Sequence, residues 1–243
     1  ERDAPWIRWD GDVMMFVGYG MPDADGGQTV VDPRDVRPDL ESFVERLVGQ
    51  CDIDRQIMAS PWSFTFGGYI ADQERLREAL CAVGNGYRAT RGCAPESDAG
   101  PFHYPGTYAA GLYNRLTDEV SGVRIENESL VNLPNWLSLK FRVDGGDWFD
   151  VDACDLVSYR QNMDLRQAEL TREFRFRDAA GRTTRVQQRR IAAMHKPHAC
   201  ALETTLWAED WSGTVEFLSM IDGDVRNAGV ERYRALSADH LVA

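Results

Sequence analysis

Gly84-Asn85-Gly86-Tyr87-Arg88-Ala89 fits G-x-G-x-x-A, a pattern whose glycines can bring a backbone turn against a pyrophosphate. That chemistry needs a buried strand before the turn, a helix after it and an acid about 20 residues on. Here Gln73 to Leu80, before the turn, are charged helix formers. Thr90-Arg91-Gly92-Cys93-Ala94-Pro95, after it, would break a helix, and no acid stands at the required place near 105–108. The glycines therefore read as a tight turn at positive φ, a region Asn85 also tolerates. His195-Lys196-Pro197-His198 offers H-x-x-H, but a metal wants more ligands, and Pro197 between two strand patterns reads as a hairpin loop. Acids are numerous, 39 in all, yet no spacing picks out the carboxylate pair of glycoside cleavage. The G-x-S-x-G elbow and the phosphate loop G-x-x-x-x-G-K-[ST] are absent.

Three loops mix rings with amides: His103-Tyr104-Pro105-Gly106-Thr107-Tyr108, Tyr113-Asn114-Arg115 and Asn132-Leu133-Pro134-Asn135-Trp136. A sugar site wants a ring to stack on and amides to bond hydroxyls. Ordinary loop packing wants the same residues.

The elements that must position these loops are strands. Leu137, Leu139, Phe141 and Val143 alternate with Ser138, Lys140 and Arg142, which predicts a half-buried strand over 136–143. Asp144-Gly145-Gly146-Asp147 predicts a hairpin turn, with Trp148-Phe149-Asp150-Val151 beginning the return. Further strands are expected over 170–177, 183–194, 199–207 and 214–221, with turns at 178–181 and 209–213. The Arg and Gln of 185–190 suggest that one sheet face is wet or covered by a partner domain. Consecutive strands with few long helices predict an antiparallel β-sandwich. Upstream, a Gly/Pro/Asp-dense stretch reads as linker, and 39–48 reads as a short amphipathic helix capped by Asp39. The boundary falls near 50–60, giving a linker or preceding tail over 1–59 and the sandwich over 60–243.

Net charge is −12, which disfavours nucleic acid and anionic membrane surfaces as partners. Five cysteines without C-x-x-C predict reduced thiols, no metal site and a cytoplasmic protein. No apolar run is long enough to span a bilayer. Asn127-Glu128-Ser129 matches a glycosylation sequon, read as chance. A chain beginning at Glu1 is expected to be processed or truncated.

Taken in order, "LREALCAVGNGYRATRGCAPE", "HYPGTYAAGLYNR", "ENESLVNLPNWLSLKFRVDGGDWFD" and "NAGVERYR" resemble the N-terminal domain of glycoside hydrolase family 65. The resemblance covers about residues 60–238. Asn85-Gly86 followed by Arg91-Gly92 looks like the family's N-G-[YF]-x-x-x-R-G signature. Family 65 includes maltose, trehalose and kojibiose phosphorylases and some acid trehalases. The resemblance implies a large supersandwich of galactose-mutarotase type, joined to an (α/α)6 barrel that carries the general acid and the phosphate pocket. It implies inverting phosphorolysis of an α-glucosidic disaccharide to β-glucose 1-phosphate, with inorganic phosphate as co-substrate and no other cofactor, or hydrolysis by water. No catalytic residue is expected in this chain, which is read as an inactive fragment of a homodimeric bacterial enzyme. Its partners would be its own barrel and, through the parent enzyme, the disaccharide. Asn85, Gly86, Arg91, Gly92, Tyr108, Asn135 and Trp136 are the candidate sugar-side or signature-loop residues. The competing expectation is a free-standing carbohydrate-binding module. An accessory domain should expose an apolar patch where a barrel would sit.

Overall fold

The computed structural model describes residues 57–60, 62–227 and 236–241. In chain order its first elements are β1 (Ile57–Ser60), β2 (Ser63–Gly67), α1 (Ala71–Leu80), β3 (Val83–Gly84), β4 (Arg88–Thr90) and β5 (Thr107–Ala109). Next come β6 (Tyr113–Val120), β7 (Val123–Leu130), β8 (Leu139–Val143) and β9 (Asp155–Asp164). β10 (Glu169–Arg177), β11 (Thr183–Ala192), β12 (Cys200–Ala208) and β13 (Val215–Ser219) complete the set. The structure is mainly antiparallel β, as the alternation of apolar and polar residues predicts. The helix expected over 39–48 and Cys51 lie outside the described residues.

The largest sheet runs β1-β2-β9-β10-β11-β12. β10 and β11 pair from Glu169↔Ile191 to Arg177↔Thr183, around the expected turn at 178–181. Gly181 sits there at φ 81°, a conformation that glycine adopts without a Cβ penalty. β1 begins at Ile57, ahead of the expected boundary at 60, and pairs with β2.

The covered face of this sheet has three zones along the strands. Tyr159, Phe174, Phe176 and Val186 form one apolar zone, over which Phe141, Phe149 and Val151 pack. The rings are closely fitted: Phe149 lies 4.8 Å from Phe141 and 5.1 Å from Phe174, both stacked. Each such buried ring contributes about 2 kcal/mol of transfer free energy. Phe66, Met163, Leu170 and Ala192 form a second zone, covered by Cys81 and Val83. Between them lie Gln161, Arg172, Gln188 and Arg190, all buried.

Two expectations are corrected here. The return segment 148–151 reaches β8 through the Phe149 N–H, which donates to Phe141 O at 2.9 Å, but it adds no paired strand there; β8 pairs along its length with β13, from Val143↔Val215 to Leu139↔Ser219. Asp144 (φ 48°) and Gly145 (φ 66°) do turn the chain. The return segment then dips inward to bury Phe149 and Val151 instead of extending as a strand. The polar run 185–190 is also not confined to a wet face. Gln188 and Arg190 are buried on the inner side, while Arg185, Gln187 and Arg189 face out. The sequence reading gave no strand to 155–164 or to the exposed β6–β7 hairpin.

Candidate functional site

α1 is short and its buried face is charged: Glu74, Arg77 and Glu78 are buried, while Leu76 is exposed. Asp72 and Glu74 in the first turn and Arg77 in the last suit the helix dipole. Burial of charges requires partners, and each has them. Arg77 donates to Gly68 O at 2.7 Å and Glu74 Oε1 at 3.3 Å, and its guanidinium lies 5.1 Å from the Phe66 ring centroid. Glu78 Oε1 lies 2.8 Å from His103 Nδ1, and its Oε2 accepts from the Tyr104 N–H at 2.9 Å. His103 Nε2 lies 3.1 Å from the Tyr69 hydroxyl and 3.3 Å from Asp152 Oδ2. Tyr69 in turn donates to Asp152. A polar chain thus runs from α1 through His103 to the loop at 152.

The electrostatics follow from burial. Burial pushes the Glu74 carboxyl up to about 7, against the pull of Arg77. For His103 burial disfavours the charged ring, but the Glu78 bond and the charges of Glu78 and Asp152 outweigh it, and the net shift is upward. Burial raises the Cys81 thiol to about 12 and the Cys93 thiol well above its ordinary value, so both are neutral. Cys81, Cys93, Cys154 and Cys200 are free thiols.

Arg91 and Gly92 of the signature are locked into this network. Arg91 donates to Tyr104 O at 2.9 Å and Arg75 O at 2.7 Å, and stacks 5.0 Å from the Tyr104 ring centroid. Its guanidinium also lies 3.7 Å from Glu78. Gly92 N–H donates to Glu78 O, and a Cβ on Gly92 would lie 2.6 Å from Cys81 Cβ. Tyr108 joins through its hydroxyl, 3.2 Å from that of Tyr104. Trp136 reaches the same region by donating to Thr90 Oγ1 at 3.1 Å.

Asn85 and Gly86 stand apart, at the β3–β4 turn, with Gly86 at φ 80°. Asn85 Oδ1 accepts from the Tyr87 and Arg88 N–H groups, and its Nδ2 donates to Ala193 O and Pro197 O. This side chain ties the turn to the β11–β12 connection. The two-residue strand β3, just after α1, leads into this turn and the antiparallel β4 follows it, so the glycine pattern builds a hairpin. Asn135 is elsewhere again, in a bridge with Asp222, its Oδ1 accepting from Leu137 N–H. The candidate residues therefore divide into a cluster around Tyr104 and Glu78 and two separate clasps.

Glu78, Cys93 and His103 bring three ligand types within 4.8 Å of one another. The 2.8 Å Glu78–His103 contact fits a shared proton, and Arg91 already balances the same carboxylate. The arrangement suits a hydrogen-bonded network better than a cation. No local motif links 78, 93 and 103, so sequence reasoning missed the cluster. His195 and His198 are exposed, and His198 packs edge-on against Tyr87.

On the opposite, outward face of the large sheet, Arg160, Asn162, Thr171, Glu173 and Gln187 line a polar depression of about 180 Å³. Thr65 donates to Asn162 Oδ1 at its edge. Among the described residues, no helix is long and apolar enough to cross a membrane.

Residues 64–243 match the family described as glycosyl hydrolase family 65, N-terminal domain. An uncharacterized glycosyl hydrolase of Mycobacterium tuberculosis is 59% identical over 192 residues, 79% of this chain and 14% of that protein. Trehalose 6-phosphate phosphorylase of Lactococcus lactis is 33% identical over 162 residues, 67% of this chain and 20% of the other. Kojibiose phosphorylase of Thermoanaerobacter brockii is 27% identical over 177 residues, 73% of this chain and 22% of the other. The fold is shared with a solved putative kojibiose phosphorylase from the human microbiome, at TM-score 0.56 and 19% identity, over 63% of this chain and 20% of that one. The chain thus spans about a fifth or less of the length of these relatives. With a family match over residues 64–243, the chain belongs to glycosyl hydrolase family 65 and carries that family's N-terminal domain.

Proposed function

We propose that this domain is the non-catalytic support of a family 65 enzyme that cleaves an α-glucosidic disaccharide, by phosphorolysis or by hydrolysis. The observation that carries the reading is an exposed apolar run at β13: Phe217 is 52% exposed, Leu218 41%, Met220 37% and Ile221 75%. Four large apolar side chains within five residues are costly to leave in water and suit a covering surface. In this reading the occupant is the catalytic barrel of the parent enzyme. Two further features support a scaffolding role. The signature side chains Asn85 and Arg91 are spent on internal hydrogen bonds. The acids of the buried layer face Arg, His and Tyr rather than an open cleft.

In this reading inorganic phosphate is the co-substrate of the phosphorolytic form and no cofactor is needed. The enzyme is a cytoplasmic bacterial homodimer, and Tyr108, Asn135 and Trp136 shape the loops on its substrate side. The test assays this chain and the full-length gene product on trehalose, maltose, kojibiose and nigerose, with and without phosphate. Release of glucose 1-phosphate by the long form alone is expected. Turnover by this chain alone overturns the reading.

A free-standing carbohydrate-binding module is the second reading, favoured by the polar depression around Asn162 and Gln187. It requires saturable binding of a glucan by this chain, lost in Asn162→Ala.

A further inference from the structure

We infer that the core of this domain holds a small monovalent anion, of chloride size, between Arg172 and Arg190. A cavity of about 10 Å³ lies on the covered face of the large sheet, lined by Gln161, Arg172, Arg190, Gly92 and Leu202 among others. That is room for one water-sized sphere, and an ion of chloride size fits when the lining side chains move outward by a few tenths of an ångström. Three donors carried by its lining residues have no oxygen or nitrogen acceptor among the described residues: Arg172 Nη2, Arg190 Nε and Gln161 Nε2, the last turned toward the Cys81 thiol. The residues that carry them are 5%, 4% and 2% exposed. Buried donors of this kind are paired in nearly all native proteins.

Charge distinguishes an anion from a water. Arg172 Nη1 donates to Glu96 Oε1 at 2.5 Å and to Gln188 Oε1 at 2.9 Å. That carboxylate balances one guanidinium. Among the described residues Arg190 donates only to the backbone carbonyls of Arg91 and Cys93, at 2.8 and 2.6 Å. Carbonyls satisfy its N–H groups without neutralising its charge. The nearby thiols of Cys81 and Cys93 are held neutral by burial, so neither supplies the missing negative charge. The Arg190 guanidinium is destabilised first by burial, and Arg172 adds to this, which brings it down to about 10. Glu96 pairs with Arg172, and Glu74, which also acts on Arg172, pairs with Arg77, so Arg190 is left without a carboxylate of its own; an unbalanced buried charge is costly. A single-atom anion accepts from all three donors at once and restores neutrality. A water brings two protons of its own into a donor-rich space and leaves the charge in place.

The test is thermal unfolding of the 243-residue chain in chloride against gluconate at constant ionic strength, gluconate being too large to enter. A saturable rise is expected, about 5–10 °C once chloride exceeds its dissociation constant a hundredfold. Bromide should substitute, and crystals grown in it should show an anomalous peak between Arg172 and Arg190. Arg190→Met should unfold at the same temperature in both salts, whatever its basal stability. Gln161→Leu, which removes a donor and no charge, should respond to chloride with weakened affinity. Equal unfolding temperatures of the unaltered chain in chloride and gluconate overturn the inference and identify the occupant as water. A chloride response that survives in Arg190→Met also overturns it, by locating the ion elsewhere.

Discussion

Gly92→Ala adds one methyl group to the signature pair Arg91-Gly92. The new Cβ would meet Cys81 Cβ at 2.6 Å, Cys81 O at 2.9 Å and Cys81 C at 3.2 Å. Ordinary carbon contacts are about 3.5–4 Å, so an opening of up to an ångström is needed. Neither side yields easily. Cys81 is fully buried and its N–H is held by Arg77 O at 2.8 Å, as the chain leaves α1. Gly92 N–H is held by Glu78 O at 2.7 Å, and Glu78 also anchors His103 and Tyr104. Overpacking of this kind costs about 1–3 kcal/mol, and loosening the Gly92–Glu78 bond adds about 1 kcal/mol. We expect about 3 kcal/mol in all, which lowers the midpoint of a domain this size by about 6–12 °C. Urea unfolding followed by tryptophan fluorescence measures it, with an unchanged m value showing that the fold persists. Cys81→Gly removes the 2.6 Å contact together with the buried thiol, so Gly92→Ala should cost less in a Cys81→Gly background than in the parent chain. A Gly92→Ala chain within about 0.5 kcal/mol of the parent would refute the steric argument, and the signature would then need a role in binding.

Breaking the buried Arg172–Glu96 pair by Glu96→Gln should cost about 3–5 kcal/mol, whereas Arg172→Met with Glu96→Leu should cost far less; a double-mutant cycle checks this. Glu74 and His103 hold their protons more tightly folded than unfolded, Glu74 by a rise from 4.5 to about 7. The Glu74 contribution is therefore complete below about pH 4.5 and lost as pH rises through about 7, and that of His103 is present below about 6.5 and lost through its raised value. Glu74→Gln should flatten the fall in stability between pH 5 and 8 by up to about 3 kcal/mol, read from urea midpoints across that range. Phe217→Ser with Ile221→Ser should reduce self-association of this chain in sedimentation while leaving its unfolding midpoint within about 3 °C; unchanged self-association would remove β13 as the docking strip.

Alternation along Glu169–Arg177, Thr183–Ala192 and Cys200–Ala208, with an Asp/Gly turn at 178–181 and a Pro-containing loop at 193–199 between them, made the antiparallel sheet legible in the sequence, because one face of each strand must leave water. The spaced family motifs were legible too, since they depend on residue identity rather than on contacts. Other features were not. Residue type puts Arg172 with solvated surface, yet it shares the inward face with Leu170 and Phe174, and Glu96, 76 positions away, makes that burial tolerable. β8 looked ready for a local hairpin, but the chain spends Phe149 on the aromatic zone and leaves β13 to pair with it. The sequence by itself determined the strand-rich class, the turns and the family. Which charges are buried, which strands meet across long separations and which donors converge on one cavity were decided only by the tertiary structure, because each depends on partners that no local spacing specifies.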